Sequence, residues 1–130
     1  MKRITGAEFV EMWKDPGKYD IKSKIHKGCF VLLFEGYELV DDVVVEYDVQ
    51  LEGLLLQSCT FKKSLSISCS NHVQLDLGGI FCQGTNLYSL EISNHIVYKL
   101  VLAEGSLVGR LSLQNCDMSS QFFVTTKSKV

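Results

Sequence analysis

The sequence predicts an all-β chain, a single solenoid of short parallel strands with a short N-terminal capping α-helix. Three observations predict it. Apolar residues separated by one position recur as Val31/Leu33, Val43/Val45, Leu54/Leu56, Leu65/Ile67, Leu75/Leu77, Leu90/Ile92, Leu100/Leu102, Leu111/Leu113 and Phe122/Val124. Successive pairs open 10 to 12 residues apart, except for one step of 15 between Leu75 and Leu90. Residue identity recurs with the spacing: Leu54-Leu55-Leu56-Gln57-Ser58-Cys59-Thr60-Phe61 matches Leu111-Ser112-Leu113-Gln114-Asn115-Cys116-Asp117-Met118. A period of this kind marks a unit that cannot bury its own apolar face and stacks on its copies.

The helix comes first. Thr5-Gly6-Ala7-Glu8 has the form of a capping box, in which the Thr hydroxyl and the Glu carboxylate each satisfy an orphaned backbone N–H. Ile4 and Phe9 are spaced as a hydrophobic staple around it. Phe9, Met12 and Trp13 follow at helical spacing, and Asp15-Pro16-Gly17 ends the pattern. So short a helix is not stable alone, so its aromatic stripe is expected to plug one end of the array.

In each repeat the strand sends both members of the pair into one core and the residue between them outward. Outward positions are mixed: Ser66, Asp76, Glu91 and Ser112 are polar, whereas Leu32, Val44, Leu55, Val101 and Phe123 are not. Ser, Asn or Gly then follows, residues that tolerate tight turns, before a further apolar residue such as Phe61, Val73, Ile96 or Met118. Ser70-Asn71-His72-Val73 and Ser93-Asn94-His95-Ile96 recur 23 residues apart, about two units. Two units per coil would stack like residues about 4.8 Å apart. An antiparallel sandwich is the competing architecture, because strands at such intervals also suit it. The chain lacks the Asn-Gly and Asp-Gly hairpin turns that such a sandwich favours.

On these L-x-L and C-x-F phrases the chain resembles the parallel β-helix class and, more loosely, the pentapeptide-repeat-like proteins. That resemblance implies inward Leu, Ile, Val and Phe with small or polar residues at corners. The strict A-(D/N)-L-x-x phrase is absent, as is the I-G-x-x-x-x hexapeptide. Residues 1–27 are expected to form the helical cap and linker, and 28–130 the repeat region.

Composition excludes several function classes. At 46% hydrophobic and 22% charged, the 130 residues describe one folded domain. A net charge of −2 removes the electrostatic support that nucleic acid binding needs. No apolar run is long enough to cross a bilayer, and Met1-Lys2-Arg3-Ile4-Thr5 does not open a signal peptide, so the expectation is a cytoplasmic protein. Five cysteines, at 29, 59, 69, 82 and 116, cannot all pair within the chain and read as reduced, buried thiols.

Candidates for chemistry are few. His72 and His95 could stack in adjacent coils, but two imidazoles without a matching Cys or carboxylate make a poor metal site. Asp76, Glu91, Glu104 and Asp117 fall on different units, and Arg110 is the only arginine of the repeat region, so no acid–base cluster is expected. Asp41-Asp42 and Glu46/Asp48 read as a solvated acidic face, and Gly78-Gly79 as a corner or bulge. No catalytic residue, cofactor or metal ligand is therefore assigned. The 15-residue step suggests a loop extending from one corner, which makes Gln83, Gly84, Thr85 and Asn86 the candidate binding loop. Phe122-Phe123-Val124 reads as an uncovered last strand and hence as the candidate interface of a homo-oligomer joined through the C-terminal coil. The expected function is a non-enzymatic interaction or assembly module, with a protein partner of unknown identity. The alternatives are a polymer-forming scaffold, which a plugged end opposes, and a carbohydrate-binding or carbohydrate-acting protein.

Overall fold

The computed structural model describes residues 1–19, 21, 24–26, 29–70, 74–103, 105–118 and 123–126. Strand β1 (Lys2–Ile4) leads into helix α1 (Gly6–Lys14), and β2 (Lys24–His26) precedes the array. About four coils follow, forming a parallel β-solenoid. The first coil contains β3 (Cys29–Glu35), β4 (Tyr37–Leu39), β5 (Val43–Tyr47) and the start of β6 (Leu51–Gln57). The rest of β6, β7 (Thr60–Cys69) and β8 (Leu75–Leu77) make the second. Then come β9 (Ile80–Gln83), β10 (Asn86–Ser93) and β11 (His95–Val97), and after them β12 (Leu100–Ala103), β13 (Leu107–Val108), β14 (Leu111–Gln114) and β15 (Asp117–Met118). Finally, β16 (Phe123–Thr126) begins a further turn.

Each coil has four sides. The first side stacks β3, the end of β6, β9, β12 and β16; the third stacks β5, the end of β7, the end of β10 and β14. Their inward residues form continuous columns: Leu32, Leu54, Ile80 and Leu100 on one side, Val43, Leu65 and Leu90 on the other, none more than 2% exposed. The narrower second and fourth sides contribute Leu39, Phe61, Leu87 and Val108, and Leu51, Leu77 and Val97. Each such side chain stabilises the fold by about 1.5–3 kcal/mol of burial. Among the described residues all pairings are parallel except β2 on β3. The hairpin expected of a sandwich is therefore confined to the lead-in.

The sequence mislabelled three pairs. The first inward pair is Leu32/Phe34, not Val31/Leu33, because the all-apolar run Val31-Leu32-Leu33-Phe34 carries no alternation to fix its phase. The 15-residue step hides a complete pair, Ile80/Cys82, at 0% and 2% exposure, and Leu75/Leu77 belongs to the fourth side. At the end of the chain, Phe123 and Thr125 stand in register with the inward Leu100 and Leu102, so Val124 opposes the outward Val101; Phe122 lies outside the described residues.

The N-terminal end is covered in the expected manner, with an addition. The capping box forms, Thr5 Oγ1 accepting the Glu8 N–H and Glu8 Oε1 accepting the Thr5 N–H, both at 3.0 Å. Phe9 stacks on Phe34, with ring centroids 4.1 Å apart, and meets Phe61 edge-on at 5.5 Å. Unforeseen in the sequence, β1 adds in parallel to β4 and β2 adds antiparallel to β3, occupying two of the backbone edges that the first coil would leave open. Asp41 completes the seal: its carboxylate accepts the Gly6 N–H at 3.0 Å, holding the helix start to the coil. Asp42 turns to Ser64, whose hydroxyl (2.9 Å) and N–H (3.2 Å) it accepts. Both acids are exposed, as expected of a solvated face, and act as structural ties as well.

Candidate functional site

The corners hold the polar chemistry of the interior. Between the first and second sides stand Gly36, Ser58 and Gly84, with φ of 78°, 51° and 57°; between the third and fourth stand Asn94 and Asn115, with φ of 61° and 51°. A left-handed residue turns the chain there, and after Ser58, Gly84, Asn94 and Asn115 the next residue makes an inward hydrogen bond through its polar atom. Cys59 Sγ donates to the Phe34 and Gln57 carbonyls, Thr85 Oγ1 to those of Leu56 and Gln83, and Cys116 Sγ to those of Ile92 and Gln114. The matching Gln57-Ser58-Cys59 and Gln114-Asn115-Cys116 phrases thus perform one task at opposite corners. The carbonyls of Gln57, Gln83 and Gln114 also accept a backbone N–H of the preceding coil, from Gly36, Ser58 and Asn94, so the inward side chain adds a second donor where the strands bend. Ser106 continues the ladder, its hydroxyl donating to the Ala103 carbonyl (2.7 Å) and accepting the Thr85 N–H (3.1 Å).

This placement changes the reading of the candidate loop. Gly84 and Thr85 are the only residues between β9 and β10, so Gln83 to Asn86 form a tight corner and not an extended loop. Thr85 is fully buried and its hydroxyl is consumed inside, which leaves Gln83, Gly84 and Asn86 as the exposed members. The histidine ladder also differs from expectation. His95 pairs in register with Leu75, and His72 lies outside the described residues. Asn94 instead accepts the Asn115 side-chain N–H through Oδ1 at 2.8 Å.

His95 itself is completely buried. Tyr47 Oη lies 2.9 Å from its Nε2, and the Ser93 carbonyl 2.6 Å from its Nδ1. Burial lowers its pKa, against an opposing effect from the Ser93 carbonyl. Burial also pushes the Cys59 thiol up and the Cys82 thiol up to about 12, so neither is poised as a nucleophile. Cys59, Cys69, Cys82 and Cys116 are free thiols.

Two surfaces stand out. At the C-terminal end the inward columns lose their cover: Leu111 and Leu113 are half-buried, and Met118, in register with the fully buried Val97, is 49% exposed. Among the described residues no strand pairs with the outer edges of β13, β14 and β15. At the opposite end a groove of about 670 Å³ opens between the last turn of α1 and the corner after β5. Trp13, Tyr47, Val49 and Leu51 line it together with Glu46 and Asp48.

The acids considered for catalysis do not gather. Asp76 and Asp117 lie on the fourth side and Glu91 on the third, while Glu104 lies outside the described residues. Glu91 accepts from Ser66 Oγ at 3.3 Å and Asp76 from Gln50 Nε2 at 3.4 Å. Among the described residues no helix is long and apolar enough to cross a membrane. No protein-family model, curated protein or solved structure matches the chain.

Proposed function

We propose that this chain is a non-enzymatic solenoid whose C-terminal coil is an assembly surface, and that it works as a closed homodimer. The observation that carries this reading is the asymmetry of the ends. At the N-terminal end α1 covers the core, while β1 and β2 occupy two strand edges; at the other, apolar side chains are exposed and, among the described residues, strand edges are unpaired. A sealed end cannot accept an open one, so two copies meet open end to open end about a two-fold axis, and growth stops there. Because β16 lies half a coil beyond β14, an axis through the fourth side sets β14 of one copy antiparallel to β16 of the other.

Several features support the rest of the reading. Inward Leu, Ile, Val and Phe with small or polar residues at the corners agree with the pentapeptide-repeat-like resemblance. Unpaired thiols suit a reducing, cytoplasmic setting. Light scattering of the full chain is expected to give twice the chain mass, and the Leu113→Lys variant the single mass. A monomer across the accessible concentration range overturns the dimer, and filaments overturn the closed geometry in favour of a scaffold.

A further inference from the structure

We infer that the groove beneath α1 binds a small organic cation with an apolar body. Its volume of about 670 Å³ lies within the range of small-molecule sites. Its wall is aromatic and aliphatic. Trp13 and Tyr47 lie with ring centroids 5.1 Å apart, and Val49 and Leu51 extend the apolar surface. Both aromatic side chains are anchored: Trp13 on the buried helix face and Tyr47 by its hydroxyl to His95. A rigid wall loses little freedom when a ligand arrives.

Among the described lining residues, negative charge outweighs positive. Glu46 and Asp48 line the groove, and neither takes part in an ion pair among the described residues. The C-terminus of α1 adds the negative end of its dipole at the same place. Lys14 is the single cation among the described lining residues and only partly offsets these charges. An ammonium or guanidinium group complements both features, because the exposed carboxylates attract its charge while Val49 and the exposed margins of Trp13 and Tyr47, 5% and 7% accessible, receive its apolar body. An anion meets repulsion there, and a neutral apolar molecule leaves the carboxylates unused.

Trp13 is the chain's sole tryptophan, so its fluorescence reports on this site alone. Titration of the full chain with benzyltrimethylammonium is expected to change that emission saturably, and benzyl alcohol and phenylacetate are not. The Glu46→Gln/Asp48→Asn variant, in which both changes fall on exposed positions, should weaken the response by about threefold or more, and Lys14→Gln should strengthen it. Circular dichroism of each variant checks that the fold is retained. The inference is overturned by an equal response to benzyl alcohol, by no response to the cation, or by an unchanged affinity in the doubly substituted chain.

Discussion

Tyr47 and His95 join the first coil to the third through the middle of the core, their Oη and Nε2 atoms 2.9 Å apart. The Ser93 carbonyl beside Nδ1 can only accept, so Nδ1 carries the imidazole proton and Nε2 accepts from the tyrosine hydroxyl. The pair is therefore built for a neutral histidine. Above pH 6.5 the folded and unfolded chains both hold His95 uncharged, and it adds no pH dependence. As the pH falls through 6.5 the unfolded chain binds the proton first, because burial lowers the folded value, and stability declines until folded His95 also protonates. Urea unfolding at pH 7.5 and 5.5 should show this loss, and His95→Phe should reduce it. At pH 7.5 that substitution should itself cost about 1–3 kcal/mol, since it strands the Tyr47 hydroxyl. An equal acid loss in both proteins would contradict the assignment.

The corner ladder predicts which replacements are tolerated. Thr85→Cys and Cys59→Thr exchange one inward donor for another and should change stability by less than about 1 kcal/mol. Thr85→Val keeps the shape but removes the donor to the Leu56 and Gln83 carbonyls, and should cost about 1–3 kcal/mol in chemical denaturation.

Backbone geometry sets opposite signs for two glycine exchanges. Ser58 pays the left-handed penalty at φ 51°, so Ser58→Gly should gain up to about 1 kcal/mol. Gly6→Ala improves helix propensity in isolation, yet its Cβ would stand 2.5 Å from the Asp42 carbonyl oxygen. It should destabilise the chain, and thermal unfolding of the two variants checks both signs.

Thiol reactivity should follow burial. Cys116, half-buried in the last complete coil, should react with a thiol reagent in the folded protein. Cys59 and Cys82 should react only on unfolding, and mass mapping of the modified positions reads the order.

Much of this architecture was legible because the core pairs repeat. Leu65/Ile67 and Leu90/Ile92 announce their coils by spacing, and Thr5 and Glu8 announce the helix by residue type. Phase was lost at Val31-Leu32-Leu33-Phe34, where four apolar residues leave either parity open. It was lost again at Ile80/Cys82, where cysteine serves as an inward hydrophobe and so conceals a rung. The sites were less legible. Asp41 reaches Gly6 across 35 positions, and Trp13 meets Tyr47 across 34, so neither relationship has a local signature. The exposed C-terminal end was anticipated as a strand edge, but Leu111, Leu113 and Met118 stand out only once their columns are seen to run out of cover.

Hydrogen exchange as a function of protein concentration tests the asymmetry of the ends most directly. The account predicts that amides of β14 and β16 gain protection as concentration rises, while those of β1 and α1 do not change. Protection of β14 and β16 that is the same at every concentration would contradict it.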